Sequence, residues 1–73
     1  MKYAVLKVVN GSFTIDSEWT DNLNGAIVQW HSVCRSLWND KTMAVKAKVE
    51  IVDENLYPQE GYVEVIQHEA EQS

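Results

Sequence analysis

The stretch Leu6-Lys7-Val8-Val9-Asn10-Gly11-Ser12-Phe13-Thr14-Ile15 decides the fold. Asn-Gly is the strongest two-residue hairpin signal, because a type I′ turn needs positive φ at both central positions. A two-residue loop here pairs Val9 with Ser12, Val8 with Phe13, Lys7 with Thr14 and Leu6 with Ile15. That register collects Leu6, Val8, Phe13 and Ile15 on one face and sets Lys7 and Thr14 on the other. Two strands are therefore expected at residues 3–9 and 12–17, with the Leu6, Val8, Phe13, Ile15 face turned toward the core.

Downstream, Thr20-Asp21-Asn22 offers side-chain oxygens that can accept the orphan N–H groups of a first helical turn. Leu23, Ala26, Ile27, Trp30, Val33, Cys34, Leu37 and Trp38 then recur at spacings of three and four, which makes one apolar stripe. The spacing predicts a helix over 21–39. Alternation returns with Val45, Ala47, Val49 and Ile51 against Lys46, Lys48, Glu50 and Val52, a strand over 43–52. Asp53 to Gly61, holding Asn55, Pro58 and Gly61, reads as a loop. In the last strand, 62–67, Glu64 sets the phase, because a carboxylate is rarely a core residue. Val63 and Val65 are then expected inward, with Tyr62, Glu64 and Ile66 outward. Residues 68–73 read as a frayed tail.

The order is β-β-α-β-β in a single domain, 1–73. One helix with one apolar stripe must cover one face of a sheet, which gives a two-layer α+β fold with a four-stranded antiparallel sheet. A right-handed crossover from the second strand through the helix sets the third strand beside the first, strand order 2-1-3-4. The alternative is 2-1-4-3.

The single cysteine, Cys34, excludes an intramolecular disulfide and points to a reducing compartment. The apolar run after Lys2 is broken at Lys7, too short for a signal sequence or a membrane span. A cytoplasmic protein that does not bind membranes is expected. The net charge of −5 is unevenly spread. All six Lys and Arg residues (Lys2, Lys7, Arg35, Lys41, Lys46, Lys48) precede residue 50, whereas residues 50–73 hold seven acids and no base. The acids disfavour nucleic acid as a partner and favour a basic protein. Glu50, Asp53, Glu54, Glu60 and Glu64 are the candidate acidic lobe.

No catalytic, cofactor or metal site is expected. His31 and Cys34, three apart on the helix, could supply two zinc ligands, but two ligands do not close a site. A reactive thiolate needs a cationic, partly exposed setting, whereas Cys34 lies on the apolar stripe and reads as a small core residue. The isolated glycines Gly11, Gly25 and Gly61 form no phosphate loop. Asp53 to Glu60 lacks the alternating ligands and central glycine of a calcium loop. Of the tryptophans, Trp30 reads as core, with Trp19 and Trp38 at its edge or at an interface.

The segments Met1 to Gly11, Asp16 to Leu23 and Ala47 to Leu56 resemble short uncharacterised proteins of phages and mobile elements of gut bacteria. That resemblance implies a small accessory protein, raises the weight of an inhibitor or adaptor that acts by binding, and transfers no site residues.

The leading expectation is a non-enzymatic protein-binding module, homodimeric through its sheet. Its surface would be the apolar residues assigned to the outer face: Tyr3, Val5, Val9, Val52, Tyr62 and Ile66. The alternative is a nucleic-acid mimic that uses the acidic lobe to block a basic site, and the third reading is a metal or thiol enzyme on His31 and Cys34.

Overall fold

A computed structural model describes residues 1–70 of the chain. Its elements are β1 (Tyr3–Val9), β2 (Ser12–Ile15), α1 (Leu23–Asn39), β3 (Val45–Asp53) and β4 (Pro58–His68). The sheet is antiparallel throughout, in the order β2-β1-β3-β4.

The β1–β2 register is the one the Asn10-Gly11 turn dictates, from Leu6 opposite Ile15 to Val9 opposite Ser12. Asn10 and Gly11 hold φ of 49° and 89°, the left-handed pair of a type I′ turn. Asn10 also ties the turn to β3, since its Oδ1 accepts from Lys46 N at 3.0 Å and its N–H donates to Lys46 O at 2.9 Å.

Helix α1 starts where the cap chemistry puts it. Asn22 is extended, and its Oδ1 accepts from Asn24 N and Gly25 N. The stripe buries Ala26, Trp30, Val33 and Cys34 against Val5, Val45, Ala47, Val49, Ile51 and Ile66, with Tyr3, Val9 and Tyr62 packed at the margin. Trp30 anchors this layer. Its indole N–H donates to Val49 O at 3.0 Å, and its ring meets Tyr62 edge-on at 5.8 Å. The helix lies over β1, β3 and β4 and does not reach β2. Among the described residues no helix is long and apolar enough to cross a membrane.

Several boundaries move from their expected places: β2 ends at Ile15 rather than 17, α1 begins at Leu23 rather than 21, and β3 runs Val45–Asp53 rather than 43–52. Strand β4 begins at Pro58, so the β3–β4 connection is a tight turn rather than a loop to Gly61. Asp53 builds that turn: its Oδ1 accepts from Asn55 N at 2.8 Å and Tyr57 N at 3.1 Å, while its carbonyl accepts from Leu56 N. Gly61, at φ 88°, sits inside β4, where the register with β3 jumps between Glu50–Val63 and Val52–Pro58. A glycine at such an irregularity supplies the conformation that a bulge requires. Of the expected tail, His68 closes β4, and residues 71–73 lie outside the described residues.

Candidate interaction surface

On β1 and β4 the helix covers the face opposite to the one expected, whereas on β3 it covers Val45, Ala47, Val49 and Ile51, the side expected inward. Tyr3, Val5, Val9, Tyr62 and Ile66, expected on the outer surface, all belong to the helix-covered layer, and Val5 and Ile66 are fully buried. Val52 does stand on the helix-free face, beside Ala4, but both are fully buried. The six residues therefore form no open patch.

Two features misled the phase. β1 is apolar on both faces, so alternation alone cannot say which is inside. In β4, Glu64 faces the helix after all because the helix satisfies it: Trp38 Nε1 donates to Glu64 Oε2 at 3.0 Å, and the Cys34 thiol also hydrogen-bonds to this carboxylate. Trp38 thereby serves as a clamp between helix end and edge strand, with His68 stacked on it and His68 Nε2 at 2.7 Å from Leu37 O. Trp19 is partly exposed at the hairpin-to-helix junction.

The helix-free face carries Leu6, Val8, Phe13, Ile15, Val63 and Val65, all expected inside, together with the polar side of β3. Cross-strand pairing lines them up in two rows: Phe13, Val8, Lys48, Val65 and, one step along, Ile15, Leu6, Glu50, Val63. Phe13 is 75% exposed and Val65 is 66% exposed, with Ile15 and Val63 also open. Leu56, from the β3–β4 turn, joins Leu6, Phe13 and Ile15 around a shallow depression of ≈ 390 Å³. A second depression of ≈ 500 Å³ lies between Val8, Lys48 and Val65. Leu56 holds φ 65°, a conformation costly for a leucine and one that gathers at functional surfaces.

At the centre of these rows is a charged pair. Lys48 Nζ and Glu50 Oε2 are 3.9 Å apart, too far for a hydrogen bond. Glu50 is only 8% exposed, and among the described residues no donor hydrogen-bonds its Oε2. A buried carboxylate oxygen without a donor costs roughly 1–3 kcal/mol or more.

The candidate acidic lobe does not assemble. Glu50 is buried on the helix-free face, Asp53 is buried in its turn and Glu64 faces the helix, which leaves only Glu54 and Glu60 exposed. His31 is exposed, whereas Cys34 is buried beneath the helix. Among the described residues no group of three or more His, Cys, Asp or Glu is placed to hold a metal ion.

Burial, reinforced by the hydrogen bond to and charge of Glu64, pushes the Cys34 thiol up from 9.0 to about 12. The native thiol therefore stays protonated where an unfolded one ionises. The stability this group contributes is fully present below pH 9 and is lost as pH rises from 9 toward 12, because the unfolded chain then sheds a proton that the native chain keeps. Thiol labelling at pH 8 should run at least ~100-fold slower in the native than in the denatured chain. Cys34→Ala should flatten the alkaline loss of stability in denaturant titrations. Equal labelling rates would show that the thiol is open.

Compared with protein-family models, curated proteins and solved structures, the chain matches none.

Proposed function

We propose that the chain is a non-enzymatic binding module that works by protein contact through its helix-free sheet face. The observation that carries this reading is the pair of apolar rows around a buried, incompletely satisfied Glu50. A domain of 73 residues has little core to spare. Covering Phe13, Ile15, Val63, Val65 and Leu56 would add apolar burial that the helix does not provide. Aromatic side chains such as Phe13 are also enriched at interfaces.

A photo-crosslinking amino acid at position 13 tests this face without presupposing what covers it. Irradiated in bacterial lysate, it should give a discrete protein adduct, either with another copy or with a different chain. The same group at Ser32, exposed on the outer side of α1, should give none. No adduct from position 13, or equal yields from both positions, would overturn the reading.

A further inference from the structure

We infer that the occupant of the helix-free face is a second copy of this chain, packed sheet on sheet about a two-fold axis that crosses the strands level with Lys7 and Val49. This inference rests on the binding-module reading and names its partner. It follows from the order of residues in the two rows. Lys7 and Val49 are paired across β1 and β3, and their row lies midway between the other two. A two-fold axis in the plane between the sheets at that level lays every strand antiparallel on its own copy. The row Phe13, Val8, Lys48, Val65 then falls on the row Ile15, Leu6, Glu50, Val63 of the partner.

The contacts between these two rows are complementary. Val8 meets the partner's Leu6, Val65 meets the partner's Val63, and Phe13 meets the partner's Ile15 beside the depression that Leu56 helps to line. Lys48 meets the partner's Glu50, and symmetry makes the same ion pair a second time. Lys48, half exposed in the single chain, thereby sets its ammonium over the part of the Glu50 side chain that stays open. An axis along the strands between β1 and β3 would instead set Lys48 on the partner's Val8 and Glu50 on the partner's Leu6, burying both charges unpaired. The charges thus select the antiparallel arrangement, which is also the aligned packing that twisted sheets adopt in sandwiches.

Charge reversal tests both the occupant and the register. By sedimentation equilibrium the native chain should weigh twice 8.4 kDa at micromolar concentration. Lys48→Glu and Glu50→Lys should each weaken association at least ~30-fold, because each sets like charges over one another. The double swap Lys48→Glu/Glu50→Lys should restore it, and mixing the two single variants should yield a heterodimer. Far-UV circular dichroism checks that all variants fold. A native mass of one chain at high micromolar concentration overturns the second-copy assignment. Position 13 cross-linking to a different protein would then leave the binding-module reading intact, whereas no cross-link would remove both. Single variants as dimeric as the native chain, or a double swap that stays monomeric, overturn the register.

Discussion

Replacing Trp30 by alanine is expected to unfold the protein. The ring fills the space between α1 and the sheet, stacks edge-on with Tyr62 and donates its indole N–H to Val49 O. Truncating a buried tryptophan costs about 3–5 kcal/mol, and stranding the Val49 carbonyl adds roughly 1 kcal/mol. A domain of this length has about 4–11 kcal/mol in total. Urea titration followed by far-UV circular dichroism should find Trp30→Ala largely unfolded without denaturant. Trp30→Phe keeps most of the apolar volume but not the hydrogen bond, so it should fold with a lowered midpoint. A Trp30→Ala protein with the native midpoint would contradict this placement of the helix.

Phe13→Asp is expected to do the opposite, sparing the fold and abolishing association. In the single chain Phe13 is largely exposed on an edge strand that the helix does not touch. Its replacement loses little more than a cross-strand contact with Val8, roughly 0.2–1 kcal/mol. In the dimer the new carboxylate would be buried against the partner's Ile15, and the two-fold axis makes that happen twice. Burying an unpaired charge is costly enough that association should fall by at least ~100-fold, about 2.8 kcal/mol. Light scattering after size exclusion should read a single chain, while the melting temperature measured at dilutions where both proteins are monomeric stays within a few degrees of native. Loss of folded structure in Phe13→Asp would place Phe13 in the core instead.

The sequence exposes the architecture more readily than the sidedness of the sheet. Asn10-Gly11 states its own turn type, Asn22 its cap and the Leu23 to Trp38 spacing its helix. A right-handed crossover favours the 2-1-3-4 order over the 2-1-4-3 alternative, and 2-1-3-4 is the order the sheet adopts. The faces are harder, because each depends on a partner distant in sequence. Tyr3, Val5 and Val9 compete with Ala4, Leu6 and Val8 for the interior, and the choice is made by where the helix stripe lands.

Glu64 looks like an outward residue until Trp38 and Cys34 are seen to satisfy it, which inverts the apparent phase of β4. The turn at Asp53 and the irregularity at Gly61 likewise depend on a carboxylate folded back on its own backbone and on a register jump that no local pattern records. Phe13 and Ile15 read as core from the hairpin register alone, and they are open because that register turns them, with Val8 and Leu6, to the side away from the helix.

The most direct measurement is an isotope-filtered nuclear Overhauser experiment on a mixture of labelled and unlabelled native chains, which reports only contacts between copies. Two-fold packing through the helix-free face predicts cross-copy signals from the Phe13 ring to Ile15 methyls and from Val65 to Val63 methyls, and none from Val28 on the outer surface of the helix. No cross-copy signal at millimolar concentration, or signals arising from Val28, would contradict it.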